Sequence, residues 1–202
     1  MTDYSTGHWV LGIDPSLTAT GLSWIDAEAT TVGVQTLRST GHNNDTLAQR
    51  SARIDTLAQG FQSTLEHLGV IDLAVIEGPS HGSKGGSAWD RAGLWWAYVS
   101  ILFDRGIQVA VCVPTTRIKW ATGSGKATKS TKSDVAVAAV RLWPDVSADG
   151  DNEWDALCLA TIGAQRLGWP VPHRAHHVHA QTAIVWPELL PVATPVIDLE
   201  AS

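Results

Sequence analysis

The chain has 202 residues, 44 % of them hydrophobic and 17 % charged, with a formal net charge of −6. Those values are ordinary for one globular domain with a real core. The acidic balance argues mildly against a general nucleic-acid binder, so any basic footprint must be local, and no apolar run reaches the roughly 18 residues of a membrane span. Two cysteines, Cys112 and Cys158, give neither a disulfide framework nor zinc spacing. The opening Met1-Thr2-Asp3-Tyr4 lacks the basic and apolar regions of a secretory leader, so a reducing, cytoplasmic location is expected.

Residues 8–13, His8-Trp9-Val10-Leu11-Gly12-Ile13, read as a short buried strand ending in Asp14 and a Pro15-Ser16 turn. A second apolar run over 19–25 predicts a hairpin. Asp is depleted in strands, and a carboxylate there must be solvated, paired or bound to metal; the alternative is a turn-forming Asp that bonds its own backbone. β-branched residues over 31–37 predict a third strand, and 39–45 a polar loop. Asp45 is a candidate cap for a helix in which Leu47, Ile54, Leu57, Phe61, Leu65 and Leu68 recur at helical spacing, with Arg50, Arg53, Asp55 and Glu66 on a solvated face and Gly69 closing it.

Residues 70–76 are almost continuously apolar, as in a central strand buried on both faces. They end in Glu77 and Gly78-Pro79-Ser80, the same order of buried strand, acid and small turn as at Asp14. The Gly/Ser-rich loop 80–87 is a plain connector or a segment that approaches a ligand. A helix over 88–105 carries Trp89, Leu94, Trp95, Val99, Leu102 and Phe103 as core, a strand follows over 107–113, and Thr115 or Thr116 can cap a short helix. From 117 to 132 there are five basic residues, Arg117, Lys119, Lys126, Lys129 and Lys132, and no acid. With Gly, Ser and Thr between them they suit phosphate oxygens. The stretch is not a P-loop, because that motif's first glycine would fall on Trp120 and Ala127 replaces its Ser/Thr.

A helix from Ser133 or Asp134 to 142, a turn over 145–150 and a last clear helix over 152–167 complete the domain. Asp155 lies on or beside that helix's packed stripe of Leu157, Ala160, Thr161 and Ala164, and needs a partner. Asp151 and Asn152 flank the same face, Asp151 as a candidate N-cap, while Glu153 points away from it. The tail over 169–202 is Pro-rich and aperiodic, with His173, His176, His177 and His179, and is expected to lie as an arm over the core and end loosely.

Three acids, Asp14, Glu77 and Asp155, thus stand at two strand ends and a helix start. They converge if the strands are neighbours and the helix packs on the sheet. Like charges at close range need a cation, hard oxygen ligands select Mg²⁺ or Mn²⁺, and two such ions about 4 Å apart can clamp the attacking and leaving oxygens of a phosphodiester.

Gly12-Ile13-Asp14-Pro15-Ser16 with Thr20-Gly21, then Ile76-Glu77, then Asn152-Glu153-Trp154-Asp155-Ala156-Leu157 resembles the RuvC-type Holliday-junction resolvases, the last motif in the form seen in bacteriophage relatives. The resemblance spans roughly residues 8–168. It implies an α/β, RNase H-like fold with a mixed five-stranded sheet flanked by helices. It also implies a homodimer that cuts branched DNA by paired hydrolysis, leaving 5′-phosphate and 3′-hydroxyl ends, in a host cytoplasm if the source is viral. Asp14, Glu77 and Asp155 would be metal ligands for two Mg²⁺ (or Mn²⁺) ions, Asp14 and Asp155 at the water and Asp14 and Glu77 at the departing oxygen. Ser80, His81, Lys84 and the Lys126 to Lys132 segment would contact DNA. The fourth family position is Asn152 instead of Asp or His, with Asp151 beside it as the charged candidate, and the loop after Glu77 is Gly/Ser-rich where some relatives carry an aromatic wedge. Two other readings are an actin-like or sugar-kinase-type ATP-binding protein, which also opens on Gly-Ile-Asp and a hydroxyl-rich hairpin, and a branched-DNA-binding protein with a weakened site.

Overall fold

The computed structural model describes residues 6–79, 88–123 and 132–188. Five strands, β1 (His8–Asp14), β2 (Ala19–Asp26), β3 (Val32–Arg38), β4 (Val70–Glu77) and β5 (Val109–Cys112), form one sheet in the order β3-β2-β1-β4-β5. β1 to β3 are antiparallel neighbours, whereas β4 runs parallel to both β1 and β5. The continuous burial of β1 and β2 follows from this order, because central strands carry helices on both faces.

Helices α1 (Leu47–Glu66) and α2 (Ala88–Asp104) cover one face. Their Leu57, Phe61, Leu94, Tyr98 and Leu102 pack against Leu11, Ile13, Leu22, Ala74 and Ile76. Helices α3 (Pro114–Thr122), α4 (Lys132–Leu142), α5 (Asp151–Arg166) and α6 (Ala175–Gln181) lie on the other side, where Val10, Ile25, Leu73, Val75, Trp120 and Leu157 join one core. Successive strand residues face opposite ways, and that alternation divides Val10 from Leu11 and Val75 from Ile76 between the two cores. Among the described residues no helix is long and apolar enough to cross a membrane.

Several local expectations are corrected. Thr46, not Asp45, caps α1, in a capping box with Gln49; the Asp45 carboxylate accepts from the His42 amide at 2.7 Å and closes the preceding turn. α3 begins at Pro114 with Val113 as N-cap, since a proline at the first position presets φ and lacks the amide that would go unpaired. Arg50 and Arg53 are not idle on a solvated face. Arg50 holds Asp90 of α2 at 2.6 Å, and Arg53 donates to Ser39 Oγ and the Leu17 carbonyl. Leu47, Trp89 and Phe103, read as core, are 78 %, 82 % and 61 % exposed. The stretch after 168 is not aperiodic throughout: α6 packs on α3, with His177 stacked on Trp120 at 4.2 Å between ring centroids. Val185 then pairs with Val111 and shields the β5 edge.

Candidate active site

Strand parity aims the first two acids. On β1, Val10 joins the α5-side core and Leu11 and Ile13 the opposite one, so Asp14 returns to the α5 side. On β4, Leu73 and Val75 face α5, and so does Glu77 two residues further. Ile13 pairs with Ile76, which ends the two parallel strands at the same level and brings Asp14 beside Glu77.

Two glycines let α5 deliver the third acid. A Cβ on Gly12 would lie 2.0 Å from the Ala156 carbonyl oxygen and 2.4 Å from the Ala160 nitrogen. A Cβ on Gly21 would lie 2.0 Å from the Asn152 carbonyl oxygen. Helix and sheet backbones therefore touch directly at β1 and β2, and any side chain at either position would hold α5 off. Asp155, one turn into that helix, is 3 % exposed.

Arg117 occupies the space between two of the acids. Its Nε donates to Glu77 Oε2 at 2.5 Å and its Nη1 donates to Asp155 Oδ1. The guanidinium side chain is only 7 % exposed. Burial alone would lower its pKa, but the charges of Glu77 and Asp155 outweigh it and hold the pKa above the ordinary arginine value. The basic run over 117–132 predicts Arg117 as a phosphate contact; its side chain instead points inward, onto the acids. Cys112, paired with Glu77 across β4 and β5, and Cys158 on α5 are buried thiols whose pKa burial pushes up to about 12, so both stay protonated and unreactive.

A hydroxyl relay supports the Asp14 turn from behind. Tyr98 Oη of α2 donates to Thr20 Oγ1 at 3.1 Å. Thr20 Oγ1 donates to the Ser16 carbonyl at 2.8 Å and accepts from the Ser16 amide at 3.1 Å. Burial pushes the Tyr98 pKa up to about 12, so it serves as a neutral donor. Trp95 Nε1 donates to the Glu77 carbonyl at 2.9 Å and fixes the other turn. Beside it opens a groove of about 300 Å³ lined by Pro15, Glu77, Gly78, Pro79, Arg91 and Trp95.

At the start of α5 the N-cap is Gly150, so Asp151 is the first helical residue and is exposed, not a cap. Asn152 is half-buried and its Nδ2 donates to the Ala19 carbonyl at 2.5 Å, tying α5 to β2. Glu153, expected to point away, is 5 % exposed. It accepts from Thr36 Oγ1 at 2.7 Å and from the Asp149 amide at 2.5 Å. The helical wheel misplaced it because α5 is enclosed at this end by β3 as well as by β1 and β2.

Of the residues expected at DNA, Lys119 is half-buried near the end of α3 and Lys132 opens α4. Ser80, His81, Lys84, Lys126 and Lys129 lie outside the described residues. Arg91, exposed at the groove beside Glu77, was not singled out from sequence because it sits in a helix read as core. Tyr98 has no signal in the sequence, and Thr20 enters there only as part of the Thr20-Gly21 motif, because only the sheet order brings the two together behind Asp14.

No known family model and no curated protein matches the sequence. Solved structures do match. The Thermus thermophilus RuvC structure aligns at 18 % identity and a TM-score of 0.58, over 82 % of this chain and 99 % of that one. T. thermophilus RuvC in complex with Holliday junction substrate aligns at 16 % identity and a TM-score of 0.58, over 76 % of this chain and 90 % of that one. The Aquifex aeolicus Ppx/GppA phosphatase aligns at 16 % identity with a TM-score of 0.36. The chain accordingly has the RNase H-like fold of the RuvC structures, a mixed five-stranded sheet flanked by helices.

Proposed function

We propose that this protein is a metal-dependent, structure-selective endodeoxyribonuclease that resolves Holliday junctions and other branched DNA, of the RuvC type and close to its bacteriophage members. The observation that supports it is the placing of Asp14, Glu77 and Asp155 on one side of the sheet at the ends of β1 and β4 and the start of α5, in a fold whose solved neighbour includes a Holliday-junction complex.

The donor set fits hard divalent cations: three carboxylates, two of them buried, in a place where unneutralised acids would repel. Among the described residues no three His, Cys, Asp or Glu side chains stand in a metal-holding cluster; Glu77 and Asp155 are turned onto Arg117 instead. Asp14, Glu77 and Asp155 would hold two Mg²⁺ or Mn²⁺ ions, with Asn152 contributing through its amide oxygen, because its nitrogen is committed to Ala19. Bound there, the ions supply Lewis acidity toward the phosphodiester.

The rest is the work of the chain itself. The Tyr98, Thr20 and Ser16 relay fixes the turn that carries Asp14, and Trp95 fixes the turn that carries Glu77, so the backbone beneath both acids is set before DNA arrives. Arg91 and Lys119, with Ser80, His81, Lys84, Lys126, Lys129 and Lys132, contact backbone phosphates and orient the branch. The four-way junction has two-fold symmetry, which a homodimer matches. Trp89, Trp96 and Phe103 recur every seven residues along α2 at 82 %, 61 % and 61 % exposure, an apolar stripe suited to a second copy. Hydrolysis leaves 5′-phosphate and 3′-hydroxyl ends in the cytoplasm of the cell in which the protein acts.

The Arg117 bridge favours one second reading, a branched-DNA-binding protein whose acids are neutralised from within. Incubation of a four-way junction with Mg²⁺, Mn²⁺, Ca²⁺ or EDTA separates the two. Paired, ligatable nicks are expected in Mg²⁺ and Mn²⁺ only, with Glu77→Gln binding the junction but leaving it whole. Binding without nicks in any ion would establish the second reading, and cutting that persists in EDTA would sink the metal-dependent one.

A further inference from the structure

We infer that Arg117 is a displaceable counter-cation, which holds Glu77 and Asp155 while the site is metal-free and which divalent cations must drive off both carboxylates to load. This rests on the nuclease reading and goes beyond it, because it assigns the site a built-in competitor for its own metal.

Three observations lead to it. The bridge joins β4 to α5 through one residue of α3, with Nε on Glu77 and Nη1 on Asp155. A guanidinium stays charged throughout the accessible pH range, so it cannot leave the conflict by losing a proton. All three side chains are shielded, at 7 % exposure for Arg117, 14 % for Glu77 and 5 % for Asp155, so water does little to screen a divalent cation at the same carboxylates from the guanidinium. Arginine and metal are therefore alternatives at these oxygens, not companions.

The bridge also explains how the acids stay buried without metal. Two buried carboxylates lacking a counter-charge would destabilise the packing of α5 on the sheet. Arg117 removes that cost in the apo protein and sets a threshold for metal, since loading must replace the hydrogen bonds that it breaks. By linkage, whatever the metal does to the arginine's pairing, the arginine does to the metal's affinity by the same factor.

The test uses the full chain with Mn²⁺ and Mg²⁺ as probes. Isothermal calorimetry and thermal melts compare the parent with Arg117→Met, which keeps length and loses charge, and Arg117→Lys, which keeps charge but cannot span both acids. Arg117→Met is expected to melt lower in EDTA, bind Mn²⁺ about tenfold tighter, within the usual 5- to 150-fold range of such coupling, and gain more melting temperature from Mn²⁺ than the parent; Arg117→Lys should fall between. Unchanged or weaker Mn²⁺ binding in folded Arg117→Met would overturn the inference and make Arg117 a scaffold for the liganded acids. Should Arg117→Met not fold, the parent decides the matter by ¹⁵N NMR. The Arg117 Nε–H signal, assigned by its absence in Arg117→Lys, is expected to shift or vanish as Mg²⁺ saturates. A signal that stays unmoved while calorimetry registers Mg²⁺ would overturn the inference and leave the nuclease reading standing. If neither the parent nor folded Arg117→Met binds either ion, both the inference and the metal-dependent reading are overturned.

Discussion

Gly12→Ala is the smallest change that should dismantle the site without touching a functional side chain. The added methyl would sit 2.0 Å from the Ala156 oxygen and 2.4 Å from the Ala160 nitrogen, and both are backbone atoms that no rotamer change can move. α5 must retreat by about 1 Å, and a gap of that size forfeits a quarter to a half of the dispersion well for each contact across it. Overpacking of this kind costs about 1–3 kcal/mol, which for a domain of this length lowers Tm by roughly 2–12 °C. Asp155 travels with α5, and a displacement near 1 Å costs on the order of 10²-fold in rate. Urea melts followed by tryptophan fluorescence, with single-turnover junction cutting, measure both effects. Gly60→Ala in α1 is the control: its methyl would meet only Leu37 side-chain carbons at 3.4 and 3.7 Å, and it should stabilise by about 0.5–1 kcal/mol. A Gly12→Ala protein as stable and as active as its parent would refute the proposed backbone contact between α5 and β1.

Burial, with neighbouring His176, His173 and Arg174, drives the His177 pKa down to about 3 while its Nδ1 is engaged by Gln165 and the Arg174 amide. The unfolded chain then takes the proton first, so stability is whole above pH 6.5 and falls as pH drops from there toward 3, by up to about 1.4 kcal/mol per unit. Melts at pH 7 and pH 5 should differ less in His177→Asn than in the parent. Lys129→Ala should reduce the salt slope of junction binding by about 0.9, one phosphate contact, and an unchanged slope in a binding titration would remove that segment from the footprint. Asn152→Ala should cost far more cutting than stability and Asp151→Asn should be mild, whereas the reverse pattern in kinetics on folded variants would make Asp151 the fourth ligand.

The fold's ingredients were legible where sequence pattern and structure share a period. Short, nearly continuous apolar runs over 8–13 and 70–76 mark two buried strands, and an acid closing each run inherits a face by strand parity. The pattern does not reveal that β1 lies between β2 and β4, which is what makes Asp14 and Glu77 neighbours. Direction was the recurrent loss. Trp89 and Phe103 are hydrophobic but turn outward from α2, and Arg117 sits in a basic run yet turns inward, because the packing of α3 and not the composition of 117–132 aims it. Glu153 was misjudged for a related reason. Every residue of α5 from Asp155 to Ala164 is buried, so this helix has almost no solvent face for a wheel argument to find.

That burial makes α5 the element on which fold and chemistry meet. β1, β2 and β4 come from the first 77 residues, whereas α5 begins at Asp151, so the site closes only when distant segments dock. Four devices hold that docking: Gly12 and Gly21 clear the approach, Asn152 bonds the Ala19 carbonyl, Glu153 joins Thr36 of β3 to the Asp149 amide, and Arg117 bridges Asp155 to Glu77. Three of the four tie α5 to β1, β2 or β3 and do not depend on what occupies the acids. Only the fourth does. If metal replaces Arg117 as proposed, the exchange can therefore proceed with α5 in place, which would keep Asp155 beside the ends of β1 and β4 as its partner changes.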